Sequence, residues 1–567
     1  MSTKDCDGVS ELLHVRAGYA LSQPGVLALE RGYRIRGGHL VDDREVVRAT
    51  VERKIDPNLL LAHENLGNLF GHENVDVVEA TPLRRIFANP KEFGLDTRSL
   101  AELEDRAGYP FLQGAMGVRS LESISAEARR RRTTYKPPEG ITLDDLEGQI
   151  RLTCHASPDA GWKVLRNFLR QAERELVVGM YDLTAPHIGD ILANEVSRRV
   201  RRFALTMDKK ISIGEGTKKE DRTEQEHASM FSRAFGSGFR YAYARTGSHG
   251  TFFSDYHIKL AVADRKVFWL SSGSWQSSNQ PTLDPLGVDK DNPRLPLYNR
   301  EWHIVGEHKA VSEVWATFLE WDFETANEDG EANFRNLLTA DGPFVFAEAR
   351  PDEFPYERFW EPEVFNIVAG RGARVVPLLT PDNYIEELIE LVSQADTELL
   401  VQNQSLTFLR SEEMQDPRYT RFTKLLAKKS HDLDQFKLII RNPREFGGST
   451  EDALNIYSQK GFNTRKIQFQ TNCHNKGIIA DRRKVLVGSH NFTNAGTTAN
   501  RDASLLIESE DVAGYFRKVF EHDWTVANNL ARAIASRPPP RMLLAGANEL
   551  PPPGMRRYNI WDLLDAD

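Results

Sequence analysis

Two short stretches of the sequence place a histidine two residues before a lysine, within a strand-like run of apolar residues. His257 and Lys259 lie in DYHIKLAVADRK, and His474 and Lys476 lie in NCHNKGIIADRRK. Residues two apart in a strand point to the same face of a sheet, so each stretch puts an imidazole beside an ammonium group. An imidazole can act as a nucleophile or transfer a proton, and an ammonium group can bind an anion.

Each stretch continues through a turn into a second strand that ends in a cluster of small polar residues. The first cluster is Ser271-Ser272-Gly273-Ser274-Trp275, and the second is Gly488-Ser489-His490-Asn491-Phe492. A hairpin would return each cluster to its histidine, where hydroxyl, amide and backbone N–H groups add donors around the lysine. This set of donors predicts an anion site and fits a phosphate diester, whose equatorial oxygens gain charge during substitution.

The two stretches belong to a longer internal repeat. In both, an aspartate follows the lysine after four intervening residues, at Asp264 and Asp481. Farther along, Asn299–Glu301 reads NRE and Asn500–Asp502 reads NRD, and segments with helical periodicity precede and follow both stretches in the same order. The shared order and spacing predict a duplication, in which each half begins with a helix and a strand and ends with a helix.

Two related halves that face each other would bring two imidazoles to one cleft. One histidine could then attack phosphorus to form a phosphohistidine, while the other protonates the leaving oxygen and later activates water. The carboxylates of Glu301 and Asp502 suit a supporting role, because each could hold an imidazole in one tautomer through its second nitrogen. This scheme needs no metal ion and no other cofactor, so we expect none.

These motifs resemble the phospholipase D superfamily, whose signature runs HxK, four residues, Asp, six residues, then GSxN, and occurs twice. The second copy carries all the signature residues, namely His474, Lys476, Asp481, Gly488, Ser489 and Asn491. The first copy carries His257, Lys259, Asp264 and Ser272, but has Ser271 where glycine is usual and Ser274 where asparagine is usual. The second motif therefore matches the signature more fully than the first.

The divergent first motif leaves two alternatives open. Asn279, in SSNQP, could supply the amide donor that Ser274 lacks. A shifted register with two extra residues after Asp264 would instead use Gly273 and Ser274 as the glycine–serine pair.

The resemblance spans about residues 150 to 530 and implies the fold of that superfamily, an α/β fold in which two phospholipase D-like α/β repeats pack about a pseudo-twofold axis. It implies a phosphohistidine route, with His257 as nucleophile and His474 as acid if this chain follows the members that carry two motifs. It also implies that Asp264 and Asp481 support the motif loops. Four further residues of the motif loops are expected to bind phosphate or to support these loops, namely Ser272, Ser274, Asn279 and Gly488.

The second motif continues as GSHNFTNAGTTANRD, which resembles the bacterial nuclease branch of the superfamily. The Asp-x-Arg-Ser segment usual after this motif in cardiolipin-synthase-like members does not follow it. We therefore expect a nuclease, with DNA or RNA as substrate. A phospholipase D-type lipid phosphodiesterase is the first alternative, and a catalytically degraded binding protein is the second.

The 567 residues exceed one ordinary core and predict several domains. A small α/β accessory or regulatory domain is expected at 1–140, ending at a charged, proline-containing joint, and the two repeats at 141–335 and 336–535. Residues 536–567 are rich in proline and predict an extended tail. A homo-oligomer or a protein activator is expected to act through the N-terminal domain, and defence against foreign DNA is a further hypothesis from this architecture.

Composition predicts an ordinary globular protein of the cytoplasm. Hydrophobic residues make up 40% and charged residues 27%, and the net charge is -9. No apolar run is long enough to span a bilayer, and the N-terminus lacks the pattern of a secretory signal. Three cysteines, Cys6, Cys154 and Cys473, are too few for a disulfide framework and fit a reducing compartment.

Overall fold

The computed structural model describes two large mixed sheets with flanking helices and two three-stranded sheets. The described residues are 6–36, 39–56, 58, 60, 64–88, 134–208, 221–246, 250–252, 255–327, 344–348, 355–370, 373–408, 415–446, 448–534, 542–545, 550–553 and 555–559. Each large sheet corresponds to one half of the predicted duplication.

The N-terminal region forms a small α/β unit of its own. Its elements are α1 (Cys6–Leu21), β1 (Val26–Arg36), β2 (His39–Val51), α2 (Leu66–Phe70), β3 (Val75–Glu79) and α3 (Pro82–Ala88). The first two strands pair antiparallel, and the third adds parallel to the second. Apolar residues on one face of this sheet pack under α1, as the alternation along the strands requires.

The first repeat builds most of an eight-stranded sheet. Its elements are β4 (Gly148–Ser157), α4 (Gly161–Gln171), β5 (Glu175–Met180), α5 (Pro186–Asn194), β6 (Arg202–Met207), α6 (Glu224–Phe235), β7 (Phe239–Tyr243), β8 (Lys259–Ala263), β9 (Val267–Ser271), β10 (Glu301–Glu307) and α7 (Lys309–Asn327). Seven of the eight strands lie side by side in the order β4-β10-β9-β8-β5-β6-β7. The two strands of the HxK hairpin, β8 and β9, are therefore in the middle of the sheet.

Two strands follow the first repeat, and the second repeat comes after them. The two strands are β11 (Phe344–Glu348) and β12 (Glu363–Ala369). The second repeat contains β13 (Val375–Leu379), α8 (Tyr384–Gln394), β14 (Glu398–Asn403), α9 (Pro417–Asp432), β15 (Gln435–Arg441), α10 (Thr450–Gln459), β16 (Ile467–Gln470), β17 (Lys476–Ala480), β18 (Lys484–Gly488), α11 (Asn494–Thr498), β19 (Ala503–Glu508) and α12 (Glu510–Ile534).

The strand order of the second sheet is β13-β19-β18-β17-β14-β15-β16, which repeats the order of the first sheet strand for strand. This equivalence confirms the predicted α/β fold class with two similar repeats and a separate N-terminal unit. The sequence pattern predicted a helix and then a strand at the start of each half. The structure adds one strand before that helix, β4 in the first repeat and β13 in the second.

The segments between and after the repeats also form strands. β12 pairs with β4 and so extends the first sheet, although it lies inside the range 336–535 predicted for the second repeat. Two strands of the C-terminal segment, β20 (Met542–Ala545) and β21 (Met555–Asn559), flank β11 in a three-stranded sheet. The proline-rich end of the chain therefore pairs with the segment between the repeats.

The two large sheets share one hydrophobic core. Apolar residues from both sheets and from the closing helices α7 and α12 belong to a single buried cluster. Within it the indole of Trp302, from the first repeat, occupies the space where a side chain at Gly477 of the second would lie. The first strand of each HxK hairpin, β8 or β17, is buried throughout, which accounts for its nearly continuous apolar sequence. This shared core fixes the two motifs relative to each other.

The N-terminal unit docks on α10 of the second repeat through buried charges. Asp452 forms one ion pair with Arg48 and a second with Arg84, each at 2.9 Å. Arg84 also pairs with Glu30 at 2.7 Å, and the amide of Asn455 accepts the backbone N–H of Tyr33. Burial opposes ionisation of Asp452, but the two guanidinium groups outweigh it and lower the pKa of Asp452.

Substituting Asp452→Ala should destabilise the protein strongly, because it leaves two buried guanidinium groups without their shared carboxylate. The expected loss is roughly 3–5 kcal/mol, seen as a lower midpoint of thermal unfolding. The matched control is Asp432→Ala, which removes a carboxylate from an ion pair with Lys428 that is largely exposed. The control should change stability by no more than about 0.5 kcal/mol, and equal effects of the two substitutions would contradict this account.

Candidate active site

The imidazole of His257, in the first repeat, is held by a carboxylate of the second repeat. His257 Nδ1 lies 2.8 Å from Oδ1 of Asp502, and both residues are buried. His257 lies two residues before the start of β8 and Asp502 immediately precedes β19, so both lie close to the point where a central strand begins. With the Nδ1–H donated to the carboxylate, Nε2 is the ring nitrogen available for chemistry.

The reverse pairing holds the second imidazole. His474 Nδ1, in the second repeat, lies 2.7 Å from Oε1 of Glu301, in the first repeat, and both side chains are fully buried. The sequence predicted that Glu301 and Asp502 orient the imidazoles, and the structure brings each acid to the histidine of the opposite repeat. Each histidine–carboxylate pair therefore forms only when the two repeats pack together.

A serine of each motif orients the acid of its own repeat. Ser489 donates to Oδ1 of Asp502 at 2.5 Å, and Ser272 donates to Oε2 of Glu301. Since Ser272 occupies the place of Ser489, the first motif follows the register in which Ser271 stands at the glycine position. The shifted register that would use Gly273 and Ser274 as the glycine–serine pair is not the one formed.

The two lysines of the HxK frames are buried beside the pairs. Lys476 Nζ lies 3.0 Å from Nδ1 and 3.1 Å from Nε2 of His474. It donates to the backbone oxygen of Ser272 at 3.1 Å, across the boundary between the repeats. It also donates to Oε1 of Gln404 at 2.7 Å. Lys259 Nζ donates to the backbone oxygen of its own His257 and lies over a tyrosine ring. Two ammonium groups thus lie within one buried polar centre, where an anion is favoured.

The residues beside the two lysines differ between the repeats. Tyr181 follows β5, and its ring lies 4.7 Å from both Lys259 Nζ and the centre of the His257 ring. Gln404 occupies the corresponding position after β14 and contacts Lys476 with its amide. The motif signature contains neither position, so sequence reasoning missed both.

The aspartates of the two motifs support the fold at a distance from the imidazoles. Asp264 accepts the backbone N–H groups of residues 173, 174 and 175, and Asp481 accepts those of residues 396, 397 and 398. Burial disfavours the charged form of Asp481, but these backbone donors outweigh it and lower its pKa. Both side chains thereby fix the beginning of the neighbouring strand, β5 or β14.

The remaining polar residues of the motif loops divide into two groups. Ser274 Oγ and Asn491 Oδ1 occupy equivalent positions, and both atoms are buried without a protein hydrogen-bond partner. Asn279 instead lies behind Glu301; with its amide nitrogen toward the acid, it donates to Oε1 at 3.2 Å and accepts the backbone N–H of Ser274 at 2.9 Å. Asn279 is thus placed to support the acid rather than to stand at the position of Asn491.

Glycine at position 488 is required by close packing. A Cβ atom there would lie 2.3 Å from the backbone oxygen of Ala503 on the adjacent strand. At the corresponding position of the first repeat, Ser271 instead places its hydroxyl 2.7 Å from Nδ1 of His303. At this position the second repeat therefore has a glycine in close contact with the adjacent strand, and the first repeat has a serine that hydrogen-bonds to a histidine.

A buried arginine immediately precedes each acid. Arg300 pairs with Asp159 of its own repeat at 2.5 Å and with Asp523, on α12 of the other repeat, at 3.0 Å. Arg501 likewise pairs with Asp382 of its own repeat at 2.9 Å and with Asp322, on α7 of the other repeat, at 2.6 Å. The sequence signal for these two arginines is the NR that NRE and NRD share, and sequence reasoning about the acids missed it.

The backbone of each arginine also crosses to the opposite repeat. Arg300 N–H donates to the carbonyl of Asn472 at 2.8 Å, and Arg501 N–H donates to that of Asp255 at 3.0 Å. Asn472 and Asp255 each lie two residues before a motif histidine. The arginine thus fixes both the acid that follows it and the chain that leads to the histidine of the other repeat.

Two further searches concern only the part of the chain that the structure describes. In these residues, no group of three or more histidine, cysteine or acidic side chains is arranged to hold a metal ion. Among the described helices, none is both long enough and apolar enough to cross a membrane.

One family model matches the second repeat. Residues 378–524 match a family model described as the phospholipase D-like domain of cardiolipin synthase. This match confirms the resemblance to the phospholipase D superfamily over that range and supports phosphodiesterase-type chemistry. No curated protein gives a significant match to the sequence.

Three bacterial proteins are among the solved structures to which this chain is similar. Phosphatidylserine synthase of Haemophilus influenzae is 11% identical, with 73% of this chain and 93% of that chain covered and a TM-score of 0.42. The phospholipase D family member Nuc of Salmonella typhimurium is 19% identical, covering 30% of this chain and 99% of its own, with a TM-score of 0.22. NucT of Helicobacter pylori is 12% identical, with 31% of this chain and 97% of that chain covered and a TM-score of 0.24.

Asp502→Asn should stabilise the protein increasingly as pH rises. Burial raises the pKa of Asp502 to about 8 from an ordinary value of 3.8, against the opposing effect of Lys259, Ser489 and Lys476. The folded state therefore binds the proton more tightly than the unfolded state, and this contribution to stability is lost as pH rises from about 4 to about 8. The variant lacks that loss, so its unfolding temperature relative to wild type should increase between pH 5 and pH 9.

Asp481→Asn is the control, because the pKa of Asp481 is shifted in the opposite direction to that of Asp502. The pKa of Asp481 is lowered in the folded protein, so its contribution to stability is present above the ordinary carboxyl pKa and is lost only in acid. That variant should be less stable than wild type by a similar amount at pH 5 and pH 9. The account of Asp502 is wrong if Asp502→Asn shows the same pH-independent loss.

Proposed function

We propose that this protein is a phosphodiesterase whose single active site takes one imidazole from each repeat. The observation that carries the proposal is the crossed arrangement, in which His257 is held by Asp502 and His474 by Glu301. Each pair presents an oriented imidazole, and Lys259 and Lys476 supply buried positive charge beside them. An oriented imidazole next to fixed cations is suited to a substrate that is an anion and that reacts by substitution at phosphorus.

The reaction proceeds by two displacements. Nε2 of one imidazole attacks phosphorus and forms a P–N bond as the P–O bond to the leaving group breaks, and the other, protonated imidazole gives its proton to that oxygen. The second imidazole, now neutral, takes a proton from water as the water oxygen attacks phosphorus and the P–N bond breaks. A carboxyl oxygen of Asp502 or Glu301 accepts the Nδ1–H of each ring, so that Nε2 carries out both roles. No step calls for a metal ion.

Nucleic acid is the substrate we propose first. The support comes from the second motif, whose continuation GSHNFTNAGTTANRD resembles the nuclease branch of the superfamily. In the structure this stretch begins at the last residue of β18, includes the short helix α11 and ends at Asp502. The residues that carry the resemblance therefore border the reacting groups.

A lipid phosphodiester is the second candidate substrate. The observation in its favour is the description of the matching family model, which names cardiolipin synthase, over residues 378–524. Both candidates present the same phosphodiester to the same imidazoles and lysines. The distinction between them lies in the groups attached to the two ester oxygens, and a direct assay can separate them.

Turnover in EDTA should separate these possibilities. Duplex DNA, single-stranded DNA, RNA and phospholipid vesicles are offered to the wild-type protein and to His257→Ala and His474→Ala. We expect cleavage of nucleic acid in EDTA, and a loss of at least about 10²-fold in each variant because each removes a nucleophile or a proton carrier. Headgroup release from vesicles alone would assign the lipid substrate instead.

The control for these variants is His431→Ala. His431 lies on α9, is exposed, and places its Nε2 3.0 Å from the backbone oxygen of Gly461. This variant should retain wild-type turnover. Failure of the wild-type protein to cleave any of the four substrates, or full activity in either motif variant, would contradict the proposed function.

A further inference from the structure

One buried polar network stands directly behind the His257–Asp502 pair. We name it the Arg501 cluster, and it consists of Arg501, Asp322, Asp382, Tyr256 and Tyr135. Arg501 donates to both oxygens of Asp322, at 2.6 and 2.8 Å, and to Asp382 at 2.9 Å. Tyr256 donates its hydroxyl to Asp322 at 3.0 Å.

This cluster holds the two residues that precede the pair in sequence. Arg501 is adjacent to Asp502, and Tyr256 is adjacent to His257. Because Asp322 binds both Arg501 and Tyr256, it connects the backbone on the acid side of the pair with the backbone on the histidine side. A shift of the cluster would therefore change the distance between His257 Nδ1 and the Asp502 carboxylate.

Tyr135 is the one member of the Arg501 cluster that lies outside both repeats. Its hydroxyl lies 2.8 and 2.9 Å from the two oxygens of Asp382 and accepts a hydrogen bond from Arg501 at 3.3 Å. Its ring centre lies 5.0 Å from the guanidinium carbon of Arg501, a cation–π distance. Burial raises the pKa of Tyr135, which keeps the hydroxyl protonated as the donor to Asp382.

The segment that carries Tyr135 is anchored on the first repeat. Thr134 donates its backbone N–H to the carbonyl of Gly250 at 3.1 Å, and Trp321 donates its indole N–H to the carbonyl of Lys136 at 2.8 Å. Trp321 is adjacent to Asp322 of the cluster. Residues 134–136 thus lie against α7 and reach the charge network from there, and they directly follow the N-terminal part of the chain.

The other half of the site has a different arrangement. Arg300, the counterpart of Arg501, lies under the ring of Tyr356, 4.6 Å from its centre, and the Tyr356 hydroxyl donates to the carbonyl of Tyr298. The residue before His474 is Cys473, so no hydroxyl corresponding to that of Tyr256 is present there. The hydroxyl-linked network therefore belongs to the His257–Asp502 pair specifically.

We propose that Tyr135, in the segment that precedes the first repeat, is a positioning residue for the His257–Asp502 pair. The Tyr135 hydroxyl hydrogen-bonds to both Asp382 and Arg501, and without it the largely buried Asp382 loses a charge-assisted hydrogen bond. Arg501 then has one fewer constraint on its position between Asp382 and Asp322. Since Arg501 sets the position of Asp502, the pair loses alignment while the substrate contacts are unchanged. Only the kinetic test of this inference depends on the proposed function.

The test compares full-length Tyr135→Phe with wild type. The substitution keeps the ring over Arg501 and removes only the hydroxyl. The kcat value for the cleaved substrate should fall about tenfold, as is typical when a group that orients a reacting residue is removed, and KM should change less than about twofold. A purely structural role would not produce this split between kcat and KM.

A second measurement requires no substrate. In protein labelled with ¹⁵N at histidine, the Nδ1 proton of His257 is identified by its absence in His257→Gln. Its exchange with water should be faster in Tyr135→Phe than in wild type, because the hydrogen bond to Asp502 is less well aligned. If the wild-type protein cleaves none of the substrates, the proposed function fails, and this measurement still decides the role of Tyr135.

Tyr457→Phe is the matched control. It removes a buried hydroxyl that donates to the carbonyl of Leu406 at 3.2 Å, in the core of the second repeat and apart from the Arg501 cluster. This variant should lose some thermal stability but keep the wild-type kcat and the wild-type exchange of the His257 proton. The proposal is overturned if Tyr135→Phe retains the wild-type kcat and exchange rate, or if both tyrosine variants lower kcat equally.

Discussion

The exchange of carboxylates between the repeats is the constraint on which the rest of this structure depends. Asp502 of the second repeat binds His257 of the first, and Glu301 of the first binds His474 of the second. Neither repeat alone contains an imidazole with its carboxylate. Each pair therefore forms only when the two repeats are packed together, and the shared hydrophobic core between the sheets holds the two motifs in that arrangement.

Buried charge makes this closed arrangement specific. An unpaired ion in a protein interior costs several kcal/mol, so Arg300 and Arg501 are tolerated only where carboxylates meet them. In each case one carboxylate comes from the same repeat and the other from the long closing helix of the opposite repeat. Any other relative placement of the repeats would leave these guanidinium groups without half of their partners. The arginines thus select the packing that also assembles the histidine–acid pairs.

Local sequence pattern predicted the parts of the site, while their assembly depended on long-range contacts. The HxK frames, the serines and the acids were all recognisable, because alternation and spacing fix the face of a strand to which a side chain points. Which acid serves which histidine depends on packing between segments more than 170 residues apart, and no local pattern contains that information. For the same reason the local pattern does not reveal Tyr135, Tyr181 or Gln404, whose contacts are made across the fold. For Asn279 the residue type suggested an amide donor to phosphate, whereas its contacts in the structure place it behind Glu301.

The most direct test of the crossed arrangement is the histidine ring ¹⁵N spectrum of the wild-type protein and of Asp502→Asn and Glu301→Gln. The account predicts that Asp502→Asn changes the Nδ1 signal of His257 and leaves that of His474 in place, and that Glu301→Gln does the reverse. Each signal is assigned from the corresponding histidine-to-glutamine variant. If Asp502→Asn instead altered His474, or if neither substitution affected the histidine of the opposite repeat, the crossed pairing and the single shared active site would both be contradicted.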